Sequence, residues 1–550
     1  MCYNHTGNKF GKGNVMKRAR ITAVLLTMAL LLTACGTKQE GQSATQLEAQ
    51  APTAPTYTDV VEIMLSDNIV SVGGEDVGKE VADAVCTSKD IVYYESGKDF
   101  TYGEGSEQDA HDPEQAAAHM VVKITKPGAY SLSGKLSKGQ IAVDLGEDAK
   151  NDPNAVVTLI LNGVDITCEV APAVIFYNVY ECGSDDTEKA SKDVDTSAAG
   201  ANVIIADGTV NTVNGSYVAR IYKPDSVVLN EDKTKVEDAK KLHKYDGAFY
   251  SKQSMNIFGG KDNTGVLNIN GENEGLDSEL HLTINGGDIR IQSGNDGINT
   301  NEDGVSVTTV NGGKLTIRVT GQTGEGDGID SNGWLVINGG TVTAVACSDS
   351  ADAGIDSDMG IHINGGTVIA TGHMLDRIEE GGQNYAVFNF AQKQTGGETV
   401  IMKDHDGKTV LETKPENAYS ILIYSSTELK AGTYTLWSDD KQLAGSAGGM
   451  MGGTGMGPGG MDRPERPDGF EPPAQGQQPP QNVAPQEGFT PPQGGTPQEG
   501  FTPPQGENPP EMPGGNTPGN PAGSNTGNLE LTTDFEIRDG GNMFRGITVK

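Results

Sequence analysis

The tripeptide Asn-Gly-Gly recurs at Asn285, Asn311, Asn338 and Asn364, at intervals of 26, 27 and 26 residues. A fixed period of this length marks a repeat architecture, in which each unit buries its apolar face against the next. A second motif runs between: Gly275-Leu-Asp-Ser-Glu279, Gly297-Ile-Asn-Thr-Asn301, Gly328-Ile-Asp-Ser-Asn332 and Gly354-Ile-Asp-Ser-Asp358. Each repeat therefore holds three short segments, which in one repeat are Ile329–Asn332, Trp334–Asn338 and Thr341–Val345. In the third, Val342 and Ala344 share one face and Thr341 and Thr343 the other; Ile289/Ile291 and Val368/Ala370 repeat the pattern. Alternation with period two is a strand signal. No segment shows a 3.6-residue period over three turns, so helical solenoids are excluded. The reading is an all-β chain, a right-handed parallel β-helix with three strands per coil of about 26 residues. Ile298, Ile329 and Ile355 are predicted to stack as one buried column. The four Asn residues are predicted to form a corner ladder whose role is structural, bonding neighbour to neighbour.

Composition fits this fold. Glycine is abundant at 75 of 550 residues and aromatics are scarce at 5%, as tight turns at every corner require. Acidic residues outnumber basic ones 75 to 40, for a formal net charge of -35. Nucleic acid and anionic headgroups need a basic footprint, so neither is a partner. Of six cysteines, Cys2 and Cys35 fall near the N-terminus, leaving Cys86, Cys168, Cys182 and Cys347. No CxxC occurs, which argues against zinc. Spacing leaves open whether Cys168 and Cys182 pair in an oxidising compartment.

Met16 opens a secretion signal. Lys17, Arg18 and Arg20 precede the apolar run Ile21 to Leu32, which is short for a membrane span. Leu32-Thr33-Ala34-Cys35-Gly36 then resembles the bacterial lipobox, which implies lipid attachment at Cys35 and a chain anchored to the extracellular face of the cell membrane. Residues 1–35 are thus a start-site extension with a lipoprotein signal peptide, and 36–59 a tether. The β-helix is assigned to 60–385, with an insertion near 184–200. A β-rich unit at 386–443 is expected to pair with a strand-like tail at 529–550. Between them, 444–528 is a Gly/Met/Pro/Gln-rich segment, with Glu487-Gly-Phe-Thr-Pro-Pro repeated at Glu499. Such a composition buries too little apolar area to offset its ordering entropy and predicts disorder.

The Gly-Ile-Asp-Ser segments carry the chemistry. With Ile inward, the alternate positions form two outward columns: Asp277, Asn299, Asp330 and Asp356, and Glu279, Asn301, Asn332 and Asp358. Asp296, Asp327 and Asp352 flank them. Carboxylates about 4.8 Å apart repel by roughly 3–4 kcal/mol at an effective dielectric near 20. A hard divalent cation relieves that, and Ca2+ accepts an irregular set of carboxylates, amide carbonyls and waters. A polar face solvated by water is the alternative reading. Trp334 faces outward, because Leu335 and Ile337 point in, and is the candidate for stacking on a sugar.

Taken with Asp246-Gly-Ala-Phe-Tyr-Ser-Lys, Leu267-Asn-Ile-Asn-Gly, Leu282-Thr-Ile-Asn-Gly-Gly, Gly128-Ala-Tyr-Ser-Leu-Ser-Gly and Leu159-Ile-Leu-Asn-Gly-Val-Asp-Ile, these motifs resemble bacterial carbohydrate-binding proteins with a pectate-lyase-like β-helix, over about 60–440. The resemblance implies a surface protein that binds calcium, cellulose and acidic polymers such as polygalacturonate. Aromatic platforms would be expected for neutral glucans, and a cation bridge for polyuronates, which this acidic chain would otherwise repel. The expected function is therefore calcium-dependent carbohydrate binding rather than catalysis. A polysaccharide lyase is the alternative. It needs a basic residue beside the metal, whereas Arg290 and Arg318 fall on the third strand, away from the acidic columns. An adhesin or structural wall protein is a third class, and the Pro/Gly-rich segment suits it.

Overall fold

The computed structural model describes residues 51–77, 84–448 and 531–550. Cys35, the signal peptide, most of the tether and nearly all of the low-complexity segment lie outside these residues. The described chain is nearly all β, with one short helix, Pro113–Ala118, and two 3-10 turns at Glu147–Asn151 and Pro224–Ser226. Its strands group mainly into a sheet of 25 and a sheet of 8.

Within the repeats, strands pair in parallel with the equivalent strand of the next repeat, in three stacks. The first stack contains Met120–Ile124, Gly139–Asp144, Val174–Asn178, Gly247–Ser251, Glu274–Ser278, Ile298–Thr300 and Ile329–Ser331. The second runs through Ala201–Ile205, Met255–Gly259, His281–Ile284, Val307–Val310, Trp334–Ile337 and Gly360–Ile363. The third runs through Val210–Gly215, Val266–Gly271, Asp288–Ser293, Lys314–Val319, Thr341–Val345 and Thr367–Gly372. Parallel pairing of this kind buries one face of every strand.

Register sets the core. Leu276 pairs with Ile298, Ile298 with Ile329, and Ile329 with Ile355, and all four are fully buried. Val174 and Phe249 extend this column toward the N-terminus. On the third stack the column is Leu267, Ile289, Leu315, Val342 and Val368, again buried. At the corner after the second stack, Asn311 Nδ2 donates to Asn285 Oδ1, Asn338 to Asn311, and Asn364 to Asn338, each at 2.9 Å. The corner amides thus satisfy one another along the stack.

The stacking is interrupted before Gly247. Lys241–Tyr245 pairs antiparallel with Val218–Tyr222, an excursion between two repeats. Beyond Gly372 the pairing also turns antiparallel: Thr367–Gly372 meets Tyr419–Ser426, which meets Tyr385–Gln394. The tail strand Gly541–Val549 pairs with both Tyr385–Gln394 and Lys441–Ala447. Phe388, Phe535 and Phe544 form a second core there. Cys86, Cys168, Cys182 and Cys347 are free thiols, so the pairing of Cys168 with Cys182 does not occur. Burial pushes the Cys168 thiol up to about 12.

Candidate functional site

The first stack carries the acids. Asp277 pairs with Asn299 and Asn299 with Asp330, so the predicted column exists in register. Its surroundings differ from the expectation of an open outward face. Asp277 and Asn299 are 0% and 4% exposed, while Asp330 and Asp356 are only partly covered. Local packing accounts for the burial. Gly247 leaves room for Asp277, since a Cβ there would come within 2.6 Å of the aspartate Cβ. Lys244, from the antiparallel excursion, forms an ion pair with Asp246 at 2.7 Å and lies close enough to Glu274 and Asp277 to favour their ionised forms.

Two carboxylate triads result: Asp246, Glu274 and Asp277, all buried, and Asp327, Asp330 and Asp356, half-buried. Within each triad, one carboxylate oxygen per residue lies within 4.8 Å of the others. The repeat between them carries Asn299 and Asn301 at the two column positions, while its buried Asp296 lies close enough to feel the charges of both Glu274 and Asp330. Asn299 Nδ2 donates to Glu274 at 3.1 Å and Asn301 Nδ2 to Asp277 at 2.7 Å. Those bonds leave Glu274 Oε2, Asp277 Oδ2 and Asn299 Oδ1 buried without a hydrogen-bond partner. Asp376 Oδ2, beside the second triad, is in the same state.

Burial and crowding shift these acids upward. Desolvation first, then the Asp246 charge, raises Glu274 to about 8. Asp277 is raised well above the carboxylate range by burial and by Glu274. Asp296 and Asp327 are raised by burial and by Asp330 and Asp356 respectively. Burial also lifts Asp330 and Asp356 to about 7, helped chiefly by Asp358 and Asp376 in turn. The charges that act most strongly on Asp330 are all negative, whereas the first triad has Lys244.

The other predicted ligands are otherwise engaged or peripheral. Glu279 accepts from Lys241 at 3.0 Å and from the Tyr250 hydroxyl. Asn332 Nδ2 donates to the Asn301 carbonyl and to Asp303, each at 3.0 Å. Asp352 accepts from the Gly326 amide and the Ser350 hydroxyl. Asp358 is exposed beside the second triad. Trp334 lies half-buried on the second stack, between Val307 and Gly360, away from the acids.

Asp246 and Glu274 were not among the residues expected to bind metal. A signal for them was present: Asp246-Gly247, Glu274-Gly275, Asp296-Gly297 and Asp327-Gly328 each place an acid directly before the glycine that opens a first-stack segment. That position is the edge from which a side chain reaches the neighbouring repeat.

A groove of about 760 Å³ lies elsewhere, over the second stack, between the 192–199 insertion and residues 52–57.

Comparison with known proteins places the chain. Residues 118–411, more than half of it, match the model of a family described as carbohydrate-binding domain-containing protein. A protein of that description from Acetivibrio thermocellus is 29% identical over 174 residues, or 31% of this chain and 45% of the relative, so the match spans less than half of that protein. A solved structure described as a polysaccharide lyase-like protein from C. thermocellum, a gadolinium derivative, aligns at 20% identity with a TM-score of 0.31, covering 56% of this chain and 94% of that one. On the extent of the family match, the chain belongs to the carbohydrate-binding domain-containing proteins.

Proposed function

We propose that this chain is a right-handed parallel β-helix, lipid-anchored through Cys35 at the outer face of the cell membrane, that holds Ca2+ on its first stack and through it binds acidic polysaccharide of the polygalacturonate type. The three parallel stacks would be the three faces of the helix.

One observation carries the metal reading. Glu274 Oε2 and Asp277 Oδ2 are buried without hydrogen-bond partners inside a triad of carboxylates. A buried carboxylate left unpaired is costly, and opposite charge with further ligation relieves it. Ca2+ takes six to eight oxygens in irregular geometry, and carboxylates beside an amide carbonyl such as Asn299 Oδ1 are a suitable donor set. Asp246, Glu274 and Asp277 would hold one ion. Asp327, Asp330 and Asp356 would hold another, and this second triad has the greater need because the charges acting most strongly on Asp330 are all negative. Being half-buried, it also leaves an ion open to an outside ligand. A chain of net charge -35 repels a polyuronate, and a partly exposed divalent ion supplies the bridge.

The same geometry disfavours a lyase. Asp246, chiefly, keeps Lys244 charged, its pKa raised above the ordinary lysine value, so it is a poor base. Arg290 is paired with Asp288 and Arg318 with Glu416, both on the third stack. Affinity electrophoresis through polygalacturonate tests the reading. Retardation should occur in calcium and vanish both in EGTA and in the Asp330→Asn/Asp356→Asn variant; retardation that survives EGTA would reject the bridge.

A further inference from the structure

Residues 51–57 belong by sequence to the tether, yet they lie as a strap over the second stack. At one end the Tyr57 hydroxyl meets the Thr158 hydroxyl at 2.6 Å. At the other, Ala51 packs on Gly312, where a Cβ on the glycine would come within 2.8 Å of the alanine Cβ. Thr158, on the strand Val157–Cys168, opens a register column that continues through Asn202, Asn256, Thr283 and Thr309. The strap therefore passes over five successive strands and ends at the corner just beyond the fifth.

Its sequence fits that path. Ala51-Pro52-Thr53-Ala54-Pro55-Thr56 is one triplet written twice. Residues before proline favour extended conformations, and polyproline II has three residues per turn with a rise of about 3.1 Å each. A triplet then advances about 9.3 Å, close to two strand spacings of about 4.8 Å. The period also puts Ala51 and Ala54 on one side. Those two are half-buried, while Pro52, Thr53, Pro55 and Thr56 are exposed. Proline brings no N–H to satisfy and a fixed φ, so seating such a segment costs less entropy than seating an ordinary linker. The floor beside the strap is closed by the insertion: Thr196 bonds Asn256 Oδ1 and the Thr283 hydroxyl at 2.7 Å, and Asn256 Nδ2 bonds Asn202 at 3.1 Å.

The strap changes where the tether joins the body. Val60–Leu65 pairs with Gly128–Leu136 at the N-terminal end of the stacks, and an undocked tether would attach there. With the strap seated, the chain leaves the body at Gly312 instead, four strand spacings or about 19 Å further along. We infer that the second stack is the docking surface for the chain's own N-terminal strap, and that this contact sets how the protein is presented at the membrane. The second stack is turned toward the anchor, and the acids of the first stack are left clear of it. Only the identity of the anchor rests on the lipid reading of Cys35; the docking does not.

Two measurements test this. In the full chain, Ala51→Cys with Gly312→Cys should form a disulfide on mild oxidation, mapped by mass, and Thr56→Cys with Gly312→Cys should not. For presentation, the chain from residue 36 carries an N-terminal hexahistidine and is bound to phosphatidylcholine vesicles containing a nickel-chelating lipid. This handle replaces the lipid on Cys35, so a failure of lipid anchoring, read by fractionation of Cys35→Ala, stays separate. Dyes placed singly at Asn68→Cys, near the N-terminal end, and Lys314→Cys, near the strap's end, report energy transfer to acceptor lipids. Transfer should be stronger from 314 than from 68. Deleting 51–57 leaves 17 residues (36–50 and 58–59) before Val60, close to the 15 upstream of the seated strap, so the attachment point changes more than the free length. The order of transfer should then reverse. No disulfide between 51 and 312, or an order that the deletion leaves unchanged, would overturn the inference.

Discussion

Asn301 donates a hydrogen bond to Asp277 Oδ1 across adjacent repeats at 2.7 Å, and the other oxygen of that carboxylate is buried with no partner. One oxygen of the aspartate is thus held by the protein, and the other is the atom that the proposed cation would meet. The same pair of repeats carries the device a second time, in Asn299 and Glu274. Amides of the middle repeat orient the carboxylates of the first triad.

Metal that binds only the folded chain adds RT ln(1 + [Ca]/Kd), about 2.7 kcal/mol at a hundredfold excess over Kd. The Asp330→Asn/Asp356→Asn variant should therefore melt lower than wild type in calcium, followed by circular dichroism. In chelator it should melt at the same temperature or higher, because two crowded charges are gone. A variant that loses as much stability in chelator as in calcium would assign these aspartates a structural role.

Without metal, stability should fall as pH rises. Glu274 sits at about 8, and Asp330 and Asp356 at about 7. In the unfolded chain these carboxyls titrate near 4. Between those limits the folded state binds more protons than the unfolded one, so the stabilisation present at low pH is lost as pH rises through the folded values. Melting temperature in EGTA should decline from pH 5 to pH 8, and calcium should flatten the decline. A metal-free melting temperature that rises over this range would contradict the assigned burial.

Ile329 packs between Ile298 and Ile355 and is fully buried. Ile329→Ala should cost about 2–5 kcal/mol, as large-to-small changes in a closed core do. Asn311→Ala removes two rungs of the ladder and leaves the buried Asn285 carbonyl oxygen without its donor, for about 1–3 kcal/mol. Chemical denaturation measures both. A loss near zero at Ile329 would mean the column is not closed.

Cys35→Ala should release the protein from the membrane fraction or block its processing, read by fractionation and mass. Unchanged membrane association would remove the anchor from the account.

Period-two alternation made the buried columns legible, because a strand in a stack has only two faces and the inward one must be apolar. The Asn-Gly-Gly spacing likewise foretold the ladder, since equal intervals put like residues in register. The environment of the acids was not legible. Lys244 reaches them from an antiparallel excursion, and the strand pairing of Val218–Tyr222 with Lys241–Tyr245 depends on contacts that no local pattern announces. The groove was hidden for the same reason. Residues 184–200 read as an interruption, and only the bonds from Thr196 to Asn256 and Thr283 turn part of that interruption into a wall.

The most direct measurement is a calcium titration by calorimetry of chelator-stripped protein at pH 7. Saturable binding is expected for wild type, and weaker binding or fewer sites for Asp330→Asn/Asp356→Asn, at unchanged β-sheet circular dichroism. No saturable heat in wild type at millimolar calcium, or an identical isotherm in the variant, would contradict it.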